Sequence, residues 1–134
     1  MAQQDLLKWA ENFFENDRFA KNAGIKIIAA ERGYAVCEMN IEEMHLNAAN
    51  TVMGGAIFTL ADFAFGIASN ADQPPTVTMS ASISYMGVCK GKRLIAVSKC
   101  EKDGRSSCVH TIRIDDELGN HVAMVNAIGF RKSK

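Results

Sequence analysis

The sequence predicts an α+β fold in which one antiparallel sheet of five to six strands wraps a single long central helix, with a further helix at the N-terminus. Three observations predict it. The run Met53 to Ser69 is apolar nearly all round, rich in Ala and free of period-two alternation, so it reads as a helix covered on most sides. Everything after Pro74-Pro75 reads as strand, with turn signals at Asp103-Gly104 and Asp116 to Asn120. The chain has 134 residues, which fits one domain, 1–134, with a true core. One sheet buries an apolar helix only by curling around it. The outer face and edges of that sheet are then left over, which favours pairing with a second copy.

The elements follow in order. Asp5 to Asn22 reads as one amphipathic helix, with Leu6, Leu7, Ala10, Phe13 and Phe14 at helical spacing, Asp5 as its cap and Gly24 as its stop. Ile25 to Ala30 and Tyr34 to Ile41 are strands around the turn Glu31-Arg32-Gly33, and Ala35, Cys37, Met39 and Ile41 share the packed face of the second. Glu42 to Val52 is a polar loop, followed by the apolar helix. In the next strand Val77, Met79, Ala81, Ile83 and Tyr85 alternate with Thr78, Ser80, Ser82 and Ser84, which predicts one packed face and one face of small hydroxyls. Arg93 to Lys102 and Arg105 to Asp115 form a hairpin. His121 to Arg131 is the last strand, with Val122, Met124, Ile128 and Phe130 on its buried face.

Composition narrows the function classes. Fifteen basic and fifteen acidic side chains give no net charge, and no basic stripe suits nucleic acid. A membrane span is disfavoured because the apolar run is short for a bilayer and carries Asp62 at its centre. The four cysteines, Cys37, Cys89, Cys100 and Cys108, form no CxxC pair and have no His at zinc-ligand spacing, so no metal is indicated. They read as core-filling side chains. The N-terminus lacks the pattern of a signal peptide, so a cytoplasmic protein with reduced thiols is expected.

Two features carry chemistry. Asp62 stands alone in an apolar helix, where a carboxylate must be paired, protonated or facing a cavity. Desolvation would raise its pKa, which suits a general base near neutral pH. A structural ion pair or backbone bond fits the residue equally well. Gly54 and Gly55 follow Met53 at the helix start. Open N–H groups there suit an oxyanion or a polarised carbonyl, and a tight turn against the sheet is the competing reading. Asp62 lies eight residues beyond Gly54, about 12 Å along the axis. One helix cannot place both on one carbonyl, whereas a site shared by two subunits can.

The segment Asn47 to Ala64, N-A-A-N-T-V-M-G-G-A-I-F-T-L-A-D-F-A, resembles the signature of PaaI-like hotdog thioesterases: an Asn, HGG six residues on, then L-A-D or L-V-D. The matching positions are Asn47, Met53-Gly54-Gly55 and Leu60-Ala61-Asp62. Ile83 to Met86 resembles the family's third strand, and the likeness spans about residues 24 to 131. The resemblance implies a hotdog fold, a homodimer commonly paired into a homotetramer, and an acyl-CoA substrate. It assigns Asp62 as nucleophile or general base, Gly54 N–H as the group polarising the carbonyl, Asn47 as a holder of water or carbonyl, and Thr78 as the residue positioning the water. It places Gly and Asn on one subunit and Asp and Thr on its partner.

Met53 departs from the pattern, where the family usually has His. Met can neither donate the imidazole hydrogen bond nor carry a proton. The sequence leaves open whether this lowers the rate, redirects the acyl preference or changes little. Met53 and Gly55 are counted with the substrate-binding residues, as are Lys90 and Arg93, whose charge suits the CoA phosphates. Lys92 and the stretch from Arg131 to Lys134 offer charge too, although a solvated face is the favoured reading of either cluster. No cofactor is expected, coenzyme A being part of the substrate. Met53 also motivates a non-catalytic acyl-CoA binding or sensing protein on the same fold. An enoyl-CoA hydratase ranks below both, since it needs the missing His.

Overall fold

In the computed structural model, which describes residues 3–132, six antiparallel strands form one sheet in the order β1-β2-β4-β5-β6-β3. The strands are β1 (Ile25–Glu31), β2 (Tyr34–Asn40), β3 (Thr76–Tyr85), β4 (Arg93–Asp103), β5 (Ser107–Asp116) and β6 (His121–Arg131). The long helix α3 (Gly54–Asn70) connects β2 to β3 and packs into the sheet's concave face. Its apolar residues drive this. Leu60, Ala61, Ala64, Ile67 and Ala68 are fully buried, and they meet Ala35, Cys37 and Met39 of β2 and Leu94 and Ala96 of β4 in one core. Each large side chain so buried contributes roughly 1.5–3 kcal/mol. Gly129 of β6 is needed for the close approach. A Cβ there would stand 2.7 Å from Thr76 Cγ2 and 3.0 Å from the Phe65 ring.

The N-terminal helix is broken in two, α1 (Gln3–Phe13) and α2 (Arg18–Asn22), rather than continuous. Asn16 and Asp17 are poor helix formers, and Asp17 takes the N-cap position of α2. Asp5 lies inside the first turn of α1, not at its cap. Gly24, at φ +83°, ends α2 as expected. The loop before α3 contains a 3-10 turn, Glu43–His45.

Three expectations about faces are refined. First, α3 is covered on most sides, as expected, yet one side stays open. Gly55 and Asp62 are exposed and Thr59 and Gly66 half-buried, and their spacing of four, three and four residues makes an open stripe down the helix. Second, of the residues expected on the buried face of β6 only Val122 is fully buried, and the core face runs on through Ala123, Val125, Ala127, Gly129 and Arg131. Met124 and Ile128 are half-buried and Phe130 is exposed, on the outer face. Both faces of this strand are apolar, so alternation could not choose. The small residues face the helix because the sheet curls tightly there. Third, β3 is packed only in part within one chain, with Thr76 buried and Ile83 against the core. As an edge strand it leaves Val77, Met79 and Tyr85 exposed. Its alternation is also interrupted by a bulge at Met79, where Thr78 pairs with Gly129 but Ser80 pairs with Ile128. A bulge shifts the side-chain parity. Thr76 and Thr78 therefore share the helix-facing side with Gly129 and Arg131, while Ser80, Ser82 and Ser84 lie on the outer face.

Candidate active site

The open stripe on α3 carries two separate groups of polar atoms. At its start, Met53 is extended (φ −62°, ψ 135°) and 53% exposed, and the helix begins at Gly54. Among the described residues, nothing accepts a hydrogen bond from the Gly54 or Gly55 N–H, as expected of a first helical turn. The Tyr85 hydroxyl donates to the Gly54 carbonyl at 2.9 Å, and a Cβ on Gly54 would stand 2.8 Å from that hydroxyl oxygen. A side chain on Gly54 would therefore have to push aside the Tyr85 phenol, where the end of β3 clamps the helix start. Gly54, Tyr85, Thr51 and Val88 line a cavity of about 240 Å³.

The second group surrounds Asp62. A cavity of about 540 Å³ is lined by Asp62, Thr78, Phe58, Phe63, Phe14 and Asp17, among others. Partial burial pushes the Asp62 carboxyl above its ordinary value, the nearby Asp17 carboxylate pushes it further, and a hydrogen bond with the Thr78 side chain pulls it back in part. The β3 bulge makes this contact. Without it, a strand with Ser80 facing outward would carry Thr78 outward too.

Asn47 lies in neither lining. Its Oδ1 accepts from Ala49 N–H (2.9 Å), Thr51 N–H (3.1 Å) and the Thr51 hydroxyl (3.2 Å), organising the loop before Gly54. Its side-chain NH2 is left to donate elsewhere. The Arg93 guanidinium pairs with Glu38 at 3.6 Å, so its charge is partly answered within the sheet. Lys90 is exposed, on a loop whose backbone N–H groups at Lys90 and Gly91 donate to Asp116. Arg131 belongs to the interior. It pairs with Asp103 and donates to Ser69 O and Thr76 Oγ1, which removes it from the basic surface expected at the C-terminus. Ser133 and Lys134 lie outside the described residues.

The histidines have structural roles. His45 is buried. Its Nδ1 accepts from Glu42 N–H, which leaves Nε2–H to donate to Ala23 O at 2.7 Å. His110 is buried beside Phe65, and burial pushes its pKa down to about 4. His121 meets Asp115. No cluster of three or more His, Cys, Asp or Glu among the described residues could hold a metal. No described helix is long and apolar enough to cross a membrane.

Sequence reasoning missed Tyr85 and Asp17. Tyr85 was counted as one more apolar strand residue, although a phenol at a strand end carries a donor. Asp17 was hidden inside a presumed helix, where Asn16-Asp17 was the available signal of a break.

A curled sheet around one helix, with a carboxylate on the helix's open side and free N–H groups at its start, defines a hotdog thioesterase. The thioesterase superfamily model matches residues 49–123. The acyl-coenzyme A thioesterase PaaI of Escherichia coli is 32% identical over 116 residues, 86% of this chain and 83% of that protein. The structure of the E. coli PaaI protein from the phenylacetic acid degradation operon superposes with a TM-score of 0.92, at 28% identity, over 99% of this chain and 97% of that one. A Streptococcus mutans protein solved with acetyl CoA bound gives a TM-score of 0.78 at 27% identity, covering 83% and 90% of the two chains. The chain belongs to the thioesterase superfamily, within its PaaI-like hotdog members.

Proposed function

We propose that this protein hydrolyses an acyl-CoA thioester to the free acid and CoA, at a site built from two subunits. Asp62 of one subunit acts as general base on water, or as nucleophile, and Gly54 N–H of the partner subunit polarises the carbonyl. The observation that carries the reading is the pair of polar groups on one open stripe. The carboxylate is exposed and the Gly54 N–H has no acceptor among the described residues, yet eight helical residues hold them about 12 Å apart. A second copy laid against this stripe in antiparallel sense would bring each Asp62 towards the other's Gly54.

In the general-base route, water attacks the thioester carbon and gives its proton to Asp62, Thr78 holding the water. The carbonyl oxygen gains charge against Gly54 N–H. The C–S bond then breaks, and the leaving thiolate of CoA takes up the proton. Asn47 donates through its side-chain NH2 on the carbonyl side. Lys90, more than the paired Arg93, suits the CoA phosphates. Met53 and Gly55 border the entry of the thioester. The reaction needs no cofactor or metal beyond the CoA carried by the substrate.

The assembly follows from what one chain leaves open. Edge strand β3 is left mostly uncovered, with Val77, Met79 and Tyr85 exposed, which favours a homodimer. The outer face keeps Phe130 exposed and Ile128 and Met124 half-buried, which favours pairing dimers into a homotetramer. A cytoplasmic setting fits the four free thiols. The test is CoA release from a panel of acyl-CoAs by wild type and Asp62→Asn. The variant is expected to lose about 10²- to 10⁴-fold in kcat, and equal rates would refute the reading. Met53 favours one other reading, a binder without turnover. Tight acyl-CoA binding by calorimetry with no CoA release across the panel would establish it.

A further inference from the structure

The turn between α1 and α2 brings a second carboxylate to the Asp62 cavity, and no role assigned so far uses it. We propose that Asp17 is a positioning residue for the reaction, a fixed negative charge that faces Asp62 across the cavity and keeps it a stronger base than a lone carboxylate would be. This rests on the reading of Asp62 as the reacting carboxylate.

Three observations support it. Asp17 and Asp62 line the same cavity of about 540 Å³. Asp17 is held there by its backbone: its N–H donates to Phe14 O at 3.0 Å and its carbonyl accepts from Lys21 N–H at 3.0 Å. The turn is anchored in turn by Phe14, whose ring meets Phe63 of α3 edge-on at 5.4 Å. Lastly, Asp17 stands at the N-cap of α2, where an Asp side chain ordinarily accepts a backbone N–H, yet its carboxylate makes no such bond. The side chain is left free to act on the cavity.

The charges around the pair favour the effect. From α1, α2, α3 and β3, the cavity receives no titratable or charged side chain other than Asp17 and Asp62. Glu11, Glu15, Lys21 and Lys26 line a different cavity, on the other side of Phe14 and Phe63. Among the described residues, no cation on the cavity wall neutralises either carboxylate. Like charges lining one cavity repel, and the repulsion is in the same direction as the rise in the Asp62 pKa. An acyl group filling the cavity would displace water and strengthen the coupling. A more basic carboxylate is the better proton acceptor near neutral pH.

The test uses the full chain as wild type, Asp17→Asn and Asp17→Glu. The pH dependence of kcat/KM is followed by CoA release from about pH 5 to about pH 9, in the neighbourhood of the carboxyl and imidazole ranges. The acid limb of Asp17→Asn is expected at lower pH. The ratio of variant to wild-type kcat/KM then rises towards acid pH by about twofold or more. Asp17→Glu is expected to keep the wild-type limb. Superimposable limbs, or a uniform loss at every pH, would overturn the proposal and leave the thioesterase reading intact. A carboxyl ¹³C NMR titration of Asp62 reads the same coupling without turnover. Its midpoint is expected to fall in Asp17→Asn, and to fall in wild type on raising salt, which screens Asp17. A midpoint unmoved by both overturns the proposal. If wild type hydrolyses no acyl-CoA, the proposed function fails, and the titration still decides whether Asp17 acts on Asp62.

Discussion

The two ends of the open stripe on α3 differ in kind. At Gly54 the functional atoms belong to the backbone, need no side chain, and are held by Tyr85 closing on the Gly54 carbonyl. At Asp62 the functional atoms belong to side chains from three places: the middle of α3, the start of β3 and the turn after α1. The first end can stabilise charge but cannot move a proton. The second can move a proton but has no spare backbone donor, because it lies inside a hydrogen-bonded helix. On the proposed reading each end supplies half of an acyl-transfer site, helix geometry keeps the halves apart, and one chain alone is incomplete.

After Asp62→Asn, the largest expected effect breaks the first end. Gly54→Pro removes the N–H at a position where Pro is tolerated, since it is the first residue of the helix and Met53 already has the extended backbone that precedes a proline. A loss of about 10²- to 10³-fold in kcat is expected by acyl-CoA assay. Gly54→Ala crowds Tyr85 in the same way but keeps the N–H, so it should lose much less. Equal losses would mean that crowding, not the donor, matters. Thr78→Val probes the second end. It deletes the hydrogen bond that pulls the Asp62 pKa down, so the acid limb of the rate profile should move to higher pH, with roughly a tenfold loss in kcat.

Much of this was legible in the residues. The Leu60-Ala61-Asp62 and Met53-Gly54-Gly55 motifs sit on helix-forming sequence with a strict length, so the separation of the two halves followed from helical rise alone. The hairpins β4-β5 and β5-β6 were marked by their turn residues. The bulge at Met79 was not legible, because it is set by pairing with Gly129 and Ile128 on a strand far along the chain. For that reason Thr78 was assigned to the same face as Ser80, when it faces Asp62 instead. The open stripe was hidden for a related reason. Composition tells how apolar a helix is, but not how far a sheet of given width reaches around it. The buried face of β6 was misread because small residues, not large ones, fill a tightly curled interior.

Smaller effects sharpen the same contrast through stability. Tyr85→Phe removes the bond to Gly54 O and should cost about 0.5–1.5 kcal/mol in denaturant melts. Asp62→Asn should do the opposite. The folded state holds the Asp62 proton more tightly than the unfolded chain does, so this residue costs stability as pH rises above the unfolded carboxyl value, and the cost persists at neutral pH. The Asn variant should therefore melt at a higher temperature than wild type at pH 7. The difference should vanish below about pH 4, where the unfolded carboxyl is also protonated. A lower melting temperature at pH 7 would mean that Asp62 is a structural ion-pair partner after all.

The shared site is tested most directly by mixing two inactive proteins. Asp62→Asn keeps an intact Gly54, and Gly54→Pro keeps an intact Asp62. When the two are unfolded together and refolded in equal amounts, half of the dimers are mixed, and each mixed dimer contains one complete site. Recovery of about a quarter of wild-type thioesterase activity is expected. A mixture no more active than the sum of its parts would contradict a site shared between subunits.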